Sequence, residues 1–349
     1  MCRKVVNVIW LMLALIMILG SSTSAFGVSE AKISSVENCK VSDYERNNYI
    51  KQVGKNFIVK GDQSDFILPQ KATGKIVVKN EECFSFKLPN IAEDTNGIMN
   101  SKGEMVYNTE NKGRIAVTAL KQEQGGIVFD GLCVSISERT NKGVQKYKYE
   151  YSLESNQRIV SAKEYMGKNT GEVYIVGQDG DIAVVDSAVA TDSHGNRLNS
   201  HYEIEGETIV QVVYVPKDEI ITVSSTTHPN KTITSYLTKN MTKQYLDSMG
   251  MSTKESMARG AEILVIGMLP GGAPVATLMG IADLWSLNQK NKVEEIYKSM
   301  KANDYLKITI IATWRNGGKN SGYIYGIPKY NKVSESQVPA SILKKIKGK

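Results

Sequence analysis

The chain has 349 residues, 41% apolar and 23% charged, with 43 lysines and arginines against 36 aspartates and glutamates, a net charge of +7. These values exclude a disordered or fibrous protein and leave room for one large globular domain or two smaller ones, each with a real core. The positive excess is scattered and has no aromatic-interleaved basic strip, which argues against a nucleic-acid binder.

The first element is a leader. Arg3 and Lys4 precede the apolar run from Val8 to Leu19, and Thr23-Ser24-Ala25 follows. That is a positive region, an apolar region and a small-residue cleavage site, so residues 1–25 read as a signal peptide cleaved after Ala25. The run is short of the roughly 20 residues that a membrane span needs. The expected location is outside the cytoplasm, secreted or on the outer face of the envelope. Cys2 leaves with the leader. Cys39, Cys83 and Cys133 remain, an odd number that implies one disulfide and one spare thiol. Cys83 and Cys133 fall in apolar strand-like runs and are the expected pair, with Cys39 in a polar lead-in over residues 26–52.

From 53 to 237 the sequence turns to short runs of alternating apolar and polar residues, as half-buried strands do. Expected strands are Phe57–Val59, Lys75–Lys79, Cys83–Leu88, Arg114–Leu120, Gly126–Ser137, Lys146–Leu153, Arg158–Lys163, Glu172–Val176, Asp181–Asp186, His201–Glu205, Thr208–Val215 and Glu219–Thr226. Turn chemistry such as Asn141-Lys142-Gly143 and Asp179-Gly180 separates them. Many short strands with frequent turns predict an antiparallel β-sandwich-like domain.

After Leu237 the period changes to that of a helix. Helices are expected over Thr238–Gly250, over Thr253–Leu269 behind a Ser252/Glu255 capping box, and over Val275–Ala302. Pro270 to Pro274 breaks the middle of this region. Tyr305–Trp314 and Tyr323–Ile327 read as a terminal β-hairpin. The fold class expected is therefore α+β: a β-rich domain over 53–237, a helical hairpin and β-hairpin module over 238–330, and a basic tail over 331–349. In that tail Ser341–Lys347 reads as one or two basic helical turns, and Lys344, Lys345, Lys347 and Lys349 read as solvated, with attachment to an anionic envelope or membrane surface as the other reading.

Several features carry a functional reading beside a structural one. Ile263 to Ala282 holds twenty uncharged residues. It is long enough for one membrane crossing, yet its central breaker leaves arms of about 10–12 Å as helix. A buried αα-hairpin covered by strands such as Lys307–Ala312 is the expectation. Tyr147, Tyr149 and Tyr151 share one strand face and are expected to pack against the other sheet rather than stack on sugars. Asp192, His194 and His201 form a conceivable metal trio, but histidines in turns are usually solvated, and no metal site is expected. Asp179 and Asp181 flank Gly180 as in a hairpin turn, without the full calcium loop. No nucleophile elbow, zinc-helix motif or phosphate loop occurs, so no catalytic, cofactor-binding or metal residue is expected.

The segment Gly177 to Val215 resembles a stretch of secreted, mostly uncharacterised proteins of Gram-positive bacteria. Its carriers are the turn Asp192-Ser193-His194-Gly195-Asn196 and the hairpin from His201 to Val213 (HYEIEGETIVQVV). The resemblance implies a secreted β-domain joined to a small helical module, and no activity. The expected function is that of a non-enzymatic envelope-associated or interaction protein, its partner a cell-envelope polymer or membrane surface. The alternative is a membrane-active, bacteriocin-like or toxin-like protein in which residues 263–282 insert.

Overall fold

The computed structural model describes residues 45–46, 50–62, 64–80, 82–178, 180–250, 253–268, 272–316 and 321–348. The leader, nearly all of the lead-in, and Cys2, Cys39, Asp179, Ser252 and Pro270 lie outside them. In chain order the first elements are β1 (Glu45–Arg46), β2 (Ile50–Val53), β3 (Asn56–Lys60), β4 (Asp65–Pro69), β5 (Lys75–Lys79), β6 (Phe84–Lys87), β7 (Ile98–Met99), β8 (Met105–Asn108), β9 (Arg114–Gln124) and β10 (Ile127–Thr140). There follow β11 (Gly143–Ser152), β12 (Arg158–Ser161), α1 (Ala162–Met166), β13 (Val173–Gly177), β14 (Gly180–Val185), β15 (Val189–Thr191), β16 (Asn199–Glu205), β17 (Thr208–Val215), β18 (Glu219–Pro229) and β19 (Lys231–Thr238). The last are α2 (Lys239–Ser248), α3 (Lys254–Ile266), α4 (Val275–Met279), α5 (Leu287–Ser299), β20 (Asp304–Arg315), β21 (Gly322–Tyr325), β22 (Lys329–Ser334) and α6 (Ala340–Lys347).

The fold is α+β and mainly antiparallel β, as the alternating pattern predicts. One sheet runs β12-β13-β14-β18-β10-β9-β8-β7, with β1 beside β9 and β15 beside β18; a second runs β16-β17-β11-β6-β5-β4-β3-β2. Their inner faces obey the period of two: Leu132, Val134 and Ile136 of β10 and Ile221 and Val223 of β18 meet Phe84, Phe86, Tyr147, Tyr149, Tyr151, Ile209 and Val213. The tyrosine stripe is therefore core: Tyr151 stacks on Phe86 with centroids 5.2 Å apart, and Tyr147 donates to Glu138 Oε1 at 3.1 Å.

On the outer face of the second sheet Val210 and Val212 are also buried. They are roofed by the stems of long ion pairs, Lys146–Glu203 at 2.9 Å and Lys148–Glu205 at 3.0 Å, which reach across β17 from its two neighbours.

A third sheet has β20 at its centre, with β19 along one edge and β21 and β22 in succession along the other, and carries the helices. β19 pairs with β20 along its whole length, so it belongs with the elements after residue 238 rather than with the sandwich. One core joins both parts: Ile127, Phe129, Tyr174 and Val184 from the first sheet pack with Ile233, Leu264, Leu278, Leu284, Val293 and Ile310. Lys231 is 3% exposed and ties the parts further, donating to Asp62 Oδ2 at 2.6 Å and to the Val128 carbonyl at 2.8 Å.

The segment 263–282 lies in this core through Ile263, Leu264, Met268, Ala273, Leu278 and Ile281. Among the described residues no helix is long and apolar enough to cross a membrane. At the end of α3 the backbone of Gly267 accepts from Tyr236 N at 2.9 Å, and a Cβ there would lie 2.2 Å from the Tyr236 carbonyl. Only glycine permits that approach.

Three local expectations need correction. α3 starts behind Thr253, whose hydroxyl accepts from Ser256 N, rather than behind Ser252. The long helix over Val275–Ala302 is two helices. α4 stops at Gly280, a 3-10 turn over Ala282–Trp285 buries Leu284 and Trp285, and Ser286 caps α5 by accepting from Gln289 N. The tail forms the expected helical turns as α6 but is not solvated throughout: β22 pairs with β20, Ile342 of α6 packs on Tyr236 and Tyr305, and Lys345 donates to the carbonyls of Val265 and Met268.

The expected Cys83–Cys133 disulfide is not formed. Cys83 is a free thiol, and Cys133 is disulfide-bonded, so the two are not paired with each other. By strand parity Cys133 sits on the outer face of β10, opposite Leu132 and Val134, and Cys83 precedes the inward-facing Phe84 in the other sheet. Stacked sheets lie about 10 Å apart, whereas a disulfide needs Cα atoms within about 7 Å.

Candidate functional site

The two faces of the third sheet differ in chemistry. Ile233, Ile308, Ile310 and Ala312 turn to the helices. Residues of the other parity line the open face, where Thr232 lies opposite Ile311, Thr309 opposite Lys329, and Lys307 opposite Asn331. Where this face meets the start of β14 and the β5–β6 turn, it forms a cleft of about 220 Å³, lined also by Asn80, Glu82, Asp181 and Asn230. The lining is mostly amide, hydroxyl and charged groups.

Asp181 anchors one wall. Its carboxylate accepts from Tyr165 Oη at 3.0 Å, from Asn230 Nδ2 at 3.2 Å and from Arg315 Nη1 at 3.2 Å. The Arg315 guanidinium in turn lies 5.2 Å from the centre of the Tyr174 ring. Burial, then the Asp181 charge, raise the pKa of the Tyr165 phenol, so it remains a donor at neutral pH. Asp181 is thus committed to protein partners, and Gly180 opens the second strand of a plain hairpin with β13.

Behind the cleft, His228 is fully buried. Its ring stacks on Trp314 with centroids 4.1 Å apart and a tilt of 10°, and Tyr323 stacks on Phe129 at 3.7 Å. Burial pushes the His228 pKa down to about 3, so the ring is neutral at physiological pH and is part of the core.

The three sequence candidates for a metal trio do not assemble as such. His201 lies on the exposed side of β16, 3.7 Å from Glu203 Oε1 and stacked on Tyr214 at 6.0 Å. Asp192 and His194 do come together in the β15–β16 turn, and the third residue that joins them is Glu219, the first of β18. β15 pairs with β18 through Thr191 and Thr222, which brings the turn to the start of that strand. The only sequence signal for Glu219 was a carboxylate opening a run of apolar and hydroxyl residues.

No protein-family model matches the chain, and no curated protein matches it. Function therefore has to be argued from the site itself, since a fold alone does not carry it.

Proposed function

We propose that the chain is a secreted, non-enzymatic protein of a Gram-positive cell envelope that binds a hydroxyl-rich, anionic envelope polymer in the cleft beside the third sheet. The lining of that cleft carries the proposal. Asn80 and Asn331 offer amides, Thr232 and Thr309 offer hydroxyls, and Lys307 and Lys329 offer cations for phosphate or carboxylate groups, while Asn230 is held by Asp181 and shapes the wall. The leader at residues 1–25 supports export, and the turn and hairpin over residues 192–213 support the likeness to secreted Gram-positive proteins. The membrane-active alternative would require Leu264 and Leu278, both fully buried, to leave the core.

Sedimentation of the purified chain with isolated Gram-positive walls tests the reading. Binding is expected, weakened by salt and lost in the double variant Lys307→Glu/Lys329→Glu. Equal sedimentation of that variant, or none by the unaltered chain, counts against it. Amino-terminal sequencing of the exported chain should begin at Phe26; a chain retaining Arg3 would sink the secretion half.

A further inference from the structure

The turn between β15 and β16 is built as a rigid cup. Asp192 N donates to the Asn196 carbonyl at 2.9 Å, and Gly195, at φ +83°, donates back to the Asp192 carbonyl at 3.1 Å. A bridge between Thr191 and Arg197 closes the base. The Asp192 carboxylate is oriented by three donors: His194 N and Asn196 N reach Oδ1, and Asn196 Nδ2 reaches Oδ2, each at 2.8 Å. Oδ2 keeps a lone pair beyond that contact. The His194 ring is exposed, with Nδ1 3.3 Å from Ser193 Oγ and 4.0 Å from Asp192 Oδ2.

Glu219 is the observation the turn does not explain. It is 6% exposed, and both carboxylate oxygens are buried with no hydrogen-bond partner. Lys217 Nζ, on a largely exposed side chain, lies 3.9 Å away, within ion-pair range but outside hydrogen-bond reach. A buried carboxylate without donors is costly. This one points at Asp192 and His194: one ligand atom from each of the three lies within 4.8 Å of the other two.

We propose that Asp192, His194 and Glu219 bind a divalent cation of the zinc class, which fastens the β15–β16 turn to the start of β18. Two carboxylates neutralise a +2 ion, and the ion gives the buried Glu219 carboxylate a directly bound counter-charge that Lys217 at 3.9 Å does not. One imidazole with two carboxylates suits zinc and its transition-metal neighbours, whereas calcium wants six to eight oxygens. Tetrahedral coordination at about 2.1 Å puts ligand atoms about 3.4 Å apart, so the cup must tighten only slightly. The exposed His194 ring can swing inward, and water completes the shell on the open side. Asn196 then acts as the outer partner that fixes the Asp192 carboxylate. This inference does not rest on the polymer-binding proposal.

The test is titration of the full chain, stripped with chelator, with zinc chloride by calorimetry, and with cobalt chloride by visible absorption. One equivalent of zinc is expected, together with the absorption bands of tetrahedral cobalt and a melting temperature that rises with zinc and falls again with chelator. His194→Ala lies on an exposed turn and should fold; it should weaken binding at least about tenfold, and Asn196→Ala should weaken it about 10- to 100-fold. Glu219→Gln should abolish binding, while Lys217→Ala and His201→Ala should not weaken it. No stoichiometric binding, unchanged affinity in His194→Ala, or loss in His201→Ala instead would overturn the assignment.

Discussion

Replacing Leu264 tests whether the longest internal apolar segment is core. Its side chain is 0% exposed, packed among residues of α3, the helices and the third sheet. Truncation in Leu264→Ala should cost about 2–5 kcal/mol, the range for a leucine that leaves a cavity. Leu264→Asp loses the same contacts and also buries a carboxyl. To stay neutral at pH 7 that carboxyl must hold its proton about three units above its ordinary 3.9, at 1.36 kcal/mol per unit, or about 4 kcal/mol more. The total, about 6–9 kcal/mol, is of the order of the whole stability of a domain. The penalty has a pH signature. With its folded pKa raised, the aspartate variant should recover stability as pH falls from 7 toward 4, while the alanine variant should lose as much as the unaltered chain does. Urea denaturation at pH 7 and pH 5 reads both effects, with Leu287→Ala, at 68% exposed, as a control expected to change little. A Leu264→Ala chain with an unchanged midpoint would refute the reasoning.

Further outcomes follow from other contacts. Lys231→Ala should cost about 3 kcal/mol or more in the same denaturation, because a hydrogen-bonded ion pair to Asp62 and a hydrogen bond to the Val128 carbonyl of β10 are lost. Gly267→Ala should destabilise by about 1–3 kcal/mol, read as a fall in melting temperature, because its Cβ would meet the Tyr236 carbonyl. His228, with its pKa pushed down to about 3, resists protonation when folded but not when unfolded. Its contribution is complete above the unfolded value near 6.5 and is lost as pH falls toward 3, so His228→Phe should flatten stability against pH across that window. Alkylation of the native chain without reductant should label Cys83 and spare Cys133; a Cys83–Cys133 peptide in the digest would contradict the pairing seen here.

What was readable in the sequence is what depends on local period. The alternation in Lys75–Lys79 and the β-branched run in Thr208–Val215 mark those strands to the residue, and Val293, Ile296 and Tyr297, at helical spacing, mark the buried side of α5. β4 escaped notice because its five residues end in Pro69 and start at an aspartate, the composition of a turn. β19 was hidden because LysThrIleThrSer is as polar as a loop; its strand character comes from pairing with β20, more than sixty residues on. The break in the long helix turns on Gly280 and on Ser286, where a buried Trp285 outweighs helix propensity. Cysteine pairing and the Asp192–Glu219 contact were beyond reach for one reason: each depends on which face a residue takes and which strands lie side by side.

The most direct test of polymer binding in the cleft is a titration with soluble anionic wall fragments, followed through the side-chain amide signals of Asn80, Asn230 and Asn331 by NMR. Saturable shifts at these three, absent in Lys307→Glu/Lys329→Glu, are predicted. Shifts confined to the opposite face around Val144 and Tyr214, or none at saturating fragment, would contradict the account.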